Sequence, residues 1–385
     1  MPQDAEYQGK NLVVCCDGTN NEFGENNTNV VRLLSLALKH DERQIVFYEP
    51  GLGTFPAPGT WTPLTRWITK TMGSAFGYGL SHNLAVCYDF LVENYAPGDR
   101  IYLFGFSRGA YTARALAALV HVCGLMRTKN RNLVPYVIKL FESEATKAKK
   151  RNDKAEKAQG KKLPLSLPVC SEFKRVFSDS PPIHFVGVWD TVSSVGTIFD
   201  PYHLPHTRWN PSVKTVRHAI SIDEKRKFFR ANLWSSTTRD TDVKQVWFAG
   251  VHADIGGGYR ESESGLAKIT LEWMLEEAKA ADLLIDDTQL PTVFPTTPDS
   301  PLAAPSAIAR IHNELEKFFW KVLQWVPRRY WMRDATSGNY VRHWNFSPKA
   351  MPRFIANNSD IHPSVHERIQ KVDGYRPVNL PGEQS

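Results

Sequence analysis

A parallel α/β fold is what this sequence predicts, and three observations carry that expectation. Short, continuous apolar runs alternate with stretches of helical periodicity, and several of those runs stop abruptly at a polar residue. The run Ile101 to Phe104 leads through Gly105-Phe106-Ser107-Arg108-Gly109 directly into an alanine-rich helical stretch. Strands buried on both faces read as unbroken apolar segments, and helices covering both sides of a mostly parallel sheet are what buries them.

The elements follow in order. Asn11 to Cys16 is the first buried strand, closed by the turn Asp17-Gly18-Thr19. Thr28 to Lys39 sets Val30, Val31, Leu34 and Leu38 at helical spacing, and Gln44 to Tyr48 returns to a strand pattern. A Gly-, Pro- and aromatic-rich excursion over residues 50–79 precedes a helix at Ser81 to Tyr95, the strand Ile101 to Phe104, and the alanine-rich helix to Leu125. The alternation breaks between Phe141 and Pro182, which places an insertion at about 143–180, and resumes at Ile183 to Val188 and Val246 to Val251. A Pro-, Thr- and Ala-rich linker over residues 291–305 then leads to Ile308, Ile311, Leu315, Phe318, Val322 and Trp325, which fall on one face of an expected helix. That helix either packs on the core or meets a membrane surface. The expected organisation is a catalytic domain over 1–290 and a helical, lid-like accessory region over 291–385.

Composition excludes several classes. With 385 residues, 42% apolar and 23% charged, the chain is an ordinary globular protein and neither disordered nor fibrous. Its net charge of +7 is concentrated between Lys147 and Lys162, where eight basic residues stand against Asp153 and Glu156. That stretch lacks large apolar residues and reads as a solvated helix extension or a loop, with contact to anionic lipid as the sharper alternative. No nucleic-acid partner is expected. The five cysteines form no C-x-x-C pair and sit in apolar runs, so a reducing, cytoplasmic setting is expected, and the sequence shows neither a signal peptide nor a bilayer-spanning run.

The chemistry is concentrated at Gly105 to Gly109, which fits G-x-S-x-G. A nucleophile on a sharp strand-to-helix turn needs flanking glycines, because side chains there collide with neighbouring backbone. Ser107 is therefore the expected nucleophile. A serine hydroxyl needs a histidine to take its proton and a carboxylate to fix the histidine's tautomer. In this fold, the α/β-hydrolase fold, the partners follow in the order Ser, Asp, His at the carboxyl ends of strands. Asp190 and His252 occupy such positions; Asp200, Asp223 and Asp254 are rival acids and His218 a rival base. The oxyanion hole is expected from the Arg108 amide together with Gly18 or Thr19, and Asp17, Gly105, Gly109 and Asp254 are expected in support. Asp17-Gly18-Thr19 is also compatible with a purely structural Asx turn. Neither a metal nor a cofactor is expected: Gly256-Gly257-Gly258 lacks an accompanying G-K-[ST], and His252 with Asp254 lacks a third ligand by spacing.

Taken together, Val13 to Asn20, Asn27 to Val30, Glu49 to Thr54, Gly105 to Ala110, Val188 to Val192, His218 to Glu224 and Val251 to Tyr259 resemble one α/β-hydrolase group. It is a domain family of unknown function that includes phospholipase effectors of bacterial type VI secretion. The resemblance runs from about Asn11 to about Tyr259 and implies a triad at Ser107, Asp190 and His252. It further implies hydrolysis of esters, in some members those of glycerophospholipids. The Lys-rich insertion and the C-terminal region lie outside the matched motifs. The leading expectation is a lipase-like serine esterase acting on acyl lipids with peripheral membrane contact; the alternative is a catalytically silent scaffold that binds lipid or protein.

Overall fold

Seven parallel strands form the centre of the protein in a computed structural model, which describes residues 9–381 apart from 19–23, 40–41, 52–74, 160–162, 193–194, 197–200, 203, 236–239, 298, 317–319, 322–323, 326–327, 334–339 and 347–348. They are β1 (Asn11–Cys16), β2 (Gln44–Glu49), β3 (Arg100–Phe106), β4 (Ile183–Trp189), β5 (Val213–Ser221), β6 (Asp242–Phe248) and β7 (Asp360–Ile361). Their order across the sheet is β7-β6-β5-β4-β3-β1-β2, and each neighbouring pair is parallel. The order reverses between β1 and β3, so the loops leaving those two strands diverge. In open α/β sheets such a reversal opens a crevice at the carboxyl ends of the strands.

Helices cover both faces: α1 (Asn29–Leu36), α2 (Ala75–Asn94), α3 (Arg108–Cys123), α4 (Val134–Gln159), α5 (Pro168–Phe177), α6 (His252–Gly256), α7 (Gly265–Lys279) and α8 (Pro363–Lys371). Alternate residues of β1 divide between two cores. Leu12, Val14 and Cys16 pack with α2 to α5, whereas Val13 and Cys15 pack with α1 and α7. Both faces being buried is why β1 reads as an unbroken apolar run. A third core, at the β6 edge, joins Ile220, Ile222 and Trp247 to Ile355, Val365 and Leu380 of the C-terminal region, which also supplies β7.

Several expected elements take a different form. The Lys-rich stretch continues α4 as far as Gln159, so its described part is a helix extension, with α5 returning alongside; Lys161 and Lys162 lie outside the described residues. Strand β5 is hard to read in the sequence because Lys214, Thr215, Arg217 and His218 interrupt its apolar pattern, although Arg217 is buried by pairing with Asp242 and Glu277. The single helix expected over Ile308 to Trp325 does not start at Ile308: residues 308–313 are irregular, Glu314–Glu316 is one 3-10 turn, and helical backbone among the described residues of this span appears only at 320–321 and 324. The cause is local. The His312 amide donates to Asp254 Oδ2, and Arg368 binds the carbonyls of Ala307 and Ala309, so backbone groups a helix would pair internally are spent on the core. Phe318, Phe319 and Val322 of that stripe, and the aromatic stretch Phe55 to Trp67, lie outside the described residues. The linker is tied down by buried Lys268, whose ammonium binds the carbonyls of Val293 and Ala303. No helix among the described residues is long and apolar enough to cross a membrane.

Candidate active site

The turn between β3 and α3 sets Ser107 at φ 58°, ψ −117°, a backbone conformation that costs on the order of 1–3 kcal/mol and persists only when its surroundings impose it. Here the Ser107 amide donates to the carbonyl of Trp189 at 3.0 Å. The two glycines are sterically required. A Cβ on Gly105 would lie 2.5 Å from the Gly109 carbonyl oxygen, and one on Gly109 would collide with the backbone of Cys16 and Asp17. The motif thus packs the start of α3 against the end of β1 and leaves the serine oxygen at the strand ends. Ser107 is 8% exposed, whereas His252 is 5% and Asp190 0%, so the chain of groups is graded from the surface inward.

Three side chains far apart in sequence meet there. His252 Nε2 lies 2.8 Å from Ser107 Oγ, and His252 Nδ1 lies 2.5 Å from Asp190 Oδ2. With Asp190 ionised, Nδ1 carries the proton and Nε2 is left as the acceptor facing the serine hydroxyl. Burial pushes the His252 pKa below its ordinary value, with Asp190 opposing that shift. Burial alone would raise Asp190, but Arg353 and His252 outweigh it and hold the carboxyl well below the usual range. Asp190, at φ 39°, is a second strained position, held by its amide's bond to the Ala219 carbonyl. The His252 ring is packed by Phe106 at 4.7 Å and Phe229 at 4.6 Å between centroids, and its amide donates to buried Glu224 at 3.3 Å.

Arg353 is the residue sequence reasoning missed. It comes from the C-terminal region, is 3% exposed, and forks onto both oxygens of Asp190 at 2.5 and 2.9 Å. Its neighbours Met351, Pro352 and Phe354 carry no motif, so only a buried arginine's need for a carboxylate pointed to it. A second arginine, Arg226, lies 3.8 Å from the Phe229 ring and 4.7 Å from that of Trp320, and pairs with Glu224.

The remaining expected residues are placed as follows. Asp17 is buried; its Oδ1 accepts the Gly18 amide at 2.6 Å, and its Oδ2 accepts the hydroxyls of Thr28 (2.8 Å) and Tyr48 (3.1 Å). The Gly18 amide therefore already has a partner, and Thr19 lies outside the described residues, as does the rival acid Asp200. Asp254 faces away from the triad: it caps the start of α6 through the Val251 amide and binds His312 Nδ1 at 2.6 Å. The rival acid Asp223 binds the Gly250 amide and the Tyr375 hydroxyl. His218 is satisfied within the sheet, its Nε2 accepting the Thr191 amide at 3.2 Å and its Nδ1 facing Gln245 Oε1 at 3.4 Å; burial and the Arg114 cation push its pKa to about 3. Two of the three glycines serve close packing: Gly256 lies against the Phe106 ring, and Gly257, at φ 80°, bridges to Thr28. No cluster of three or more metal-ligating side chains occurs among the described residues.

The family model described as the catalytic domain of Tle1-like phospholipase effectors of type VI secretion matches residues 10–277. The chain belongs to that family. Among curated proteins it is similar to the uncharacterized protein YEL023C of Saccharomyces cerevisiae, with 34% identity over 238 residues, 60% of this chain and 33% of that protein. The chain thus spans about a third of the length of that relative. Among solved structures, it is similar to an uncharacterized protein from Pseudomonas aeruginosa (19% identity, TM-score 0.42, covering 72% of this chain and 46% of that one). It is also similar to the Tle1 effector bound to the VgrG spike of the type VI system (15% identity, TM-score 0.42, covering 92% and 93%). Arg353 lies beyond the matched catalytic domain.

Proposed function

We propose that the chain is a serine hydrolase that cleaves carboxylic esters of acyl lipids through an acyl-enzyme. The observation that carries this reading is the unbroken hydrogen-bonded chain from Ser107 through His252 to Asp190, beginning at a strained turn at the sheet's carboxyl edge. His252 Nε2 takes the proton from Ser107 Oγ as that oxygen bonds to the ester carbonyl carbon. The tetrahedral oxyanion is met by the amide of Arg108, the residue after the nucleophile. A second donor from the β1 loop is Gly18, once its amide turns away from Asp17, or Thr19. The protonated imidazole then gives its proton to the departing alcohol oxygen; the same nitrogen next takes a proton from a water that bonds to the acyl carbon, and returns it to Ser107 Oγ as the acyl–oxygen bond breaks and the acid leaves. Asp190 stays ionised throughout and holds the tautomer.

In this reading residues 1–290, with the basic insertion at about 143–180, form the catalytic unit, and 291–385 the accessory region. The insertion suits a lipid surface: Leu163, Leu165 and Val169 are exposed beside the exposed Lys150, Arg151 and Lys154. Anionic headgroups attract such a cluster at about 1 kcal/mol per basic residue. Replacing Lys150, Arg151 and Lys154 by Glu is expected to reduce co-sedimentation with phosphatidylglycerol vesicles and leave hydrolysis of a soluble ester intact; undiminished co-sedimentation would remove the docking role.

The central test is hydrolysis of p-nitrophenyl butyrate and phosphatidylglycerol by the parent and Ser107→Ala. The variant is expected to lose turnover by about 10⁶-fold and to escape labelling by a fluorophosphonate. Equal turnover would refute the nucleophile, and an unlabelled parent would favour the silent scaffold.

A further inference from the structure

We propose that Arg353 is a positioning residue for this hydrolysis, locking both oxygens of Asp190 and thereby making the C-terminal region a working part of a site whose other members lie in the family's catalytic domain. The inference rests on the serine-hydrolase reading above.

The geometry is fully committed. A guanidinium has five N–H donors, and each has an acceptor here. Nη1 binds Asp190 Oδ1 (2.5 Å) and the Ser221 carbonyl (3.1 Å); Nη2 binds Asp190 Oδ2 (2.9 Å) and the Phe229 carbonyl; Nε binds the Phe229 carbonyl at 3.1 Å. Asp190 is equally saturated, since Oδ1 also accepts the Ser221 amide at 3.0 Å and Oδ2 the His252 imidazole. Such bidentate pairing fixes both the plane and the rotation of the carboxylate, which an ammonium cannot do. The same guanidinium fixes the backbone of Phe229, whose ring packs on His252. Arg353 thus controls the imidazole from two sides without touching a reacting atom.

The segment carrying it is itself held. Arg230 binds the carbonyls of Met351 and Pro352, Asn379 binds the Arg353 carbonyl at 3.0 Å, and Ile355 is buried against Ile220 and Trp247. The placement is therefore a product of the C-terminal region's packing. It also has an electrostatic consequence. The charged groups acting on His252 are Asp190 and Glu224, which favour its protonated form, and Arg226, which opposes it, while Phe106 and Phe229 cover the ring and Arg353 acts on the Asp190 behind it. Asp190 itself faces His252, Arg353 and, across the sheet, His218. A fixed cation behind the acid disfavours imidazolium, so the base stays neutral to lower pH than Asp190 alone would permit.

The full-length chain carries the test, with p-nitrophenyl butyrate as substrate and rates normalised to the fraction of Ser107 labelled by a fluorophosphonate. Arg353→Met is expected to lower kcat/KM on the order of 10²-fold, as misplacement of a supporting group does, and to move the acid limb of the pH profile upward by about one unit. Arg353→Lys keeps the charge, so its acid limb stays near the parental position while only part of the rate returns. In an Asp190→Asn background, Arg353→Met is expected to add little, because its effect runs through that carboxylate. Should the single Met variant fail to fold, the Lys profile and the double variant, which removes both buried charges together, decide the matter. A parental rate and acid limb in Arg353→Met, or a full additional loss on top of Asp190→Asn, would overturn the proposal. If Ser107→Ala retains turnover, the hydrolase reading falls and this proposal with it; if Ser107→Ala is dead while Arg353→Met is parental, only the positioning role falls.

Discussion

Two aspartates end parallel strands of the same sheet, Asp17 after β1 and Asp190 after β4, and both are buried. Asp17 accepts from the Gly18 amide and from the hydroxyls of Thr28 and Tyr48. Thr28 also caps α1 by accepting from the Val31 amide, so Asp17 anchors the loop that joins β1 to its helix. Asp190 is surrounded by an imidazole and a guanidinium, both able to carry positive charge. Position on the sheet is common to the two; what sets Asp190 apart is the imidazole and guanidinium brought against it. A strand-end carboxylate is a local tie or a reactive group's anchor according to the chemistry the tertiary fold brings against it.

Asp190→Asn is expected to lower kcat on the order of 10⁴-fold, because the amide cannot hold the required imidazole tautomer. Asp17→Asn retains a polar side chain at an anchoring position, so its principal effect is expected in the melting temperature, with a destabilisation of about 1–3 kcal/mol. Its loss of ester turnover should be far smaller than that of Asp190→Asn. Ester kinetics and thermal melts on the two variants check this, and equal kinetic losses would erase the distinction.

The smallest expected effects concern His218, the second buried histidine beside Asp190. His218 has an in-sheet partner on each ring nitrogen, and His218→Gln is expected to leave turnover near parental. It should nevertheless alter the stability profile. Both His218 and His252 have folded-state pKa values depressed by burial, to about 3 for His218. The unfolded chain takes up protons near the ordinary value of about 6.5 that the folded chain refuses, so their stabilisation is present above that pH and is lost as pH falls below it. Melting temperatures recorded from neutral to acidic pH should decline less steeply in His218→Gln. An unchanged slope would mean that His218 is not held neutral.

Local signals carried much of this architecture. The double burial of β1 and β3 made them readable as apolar runs, and the steric demand of the turn made Gly105, Ser107 and Gly109 readable as a motif, because both constraints act between residues close in sequence. Strand β5 was obscured because the partners that permit Arg217 in a buried sheet are Asp242 and Glu277, and the stripe from Ile308 misled because His312 and Arg368 divert the backbone to distant partners. Asp190 and His252 could be named from their strand ends, yet rivals of the same residue type stood nearby, and only contact distinguished them. Sequence alone determined the alternating fold, the elbow and the candidate nucleophile. The tertiary structure decided which histidine lies against the Ser107 hydroxyl, that Asp17 anchors a loop, and that Arg353, 163 positions from Asp190, closes the site. The physical reason is that a buried charge is defined by its partner, and a partner across the fold leaves no mark on the spacing of neighbouring residues.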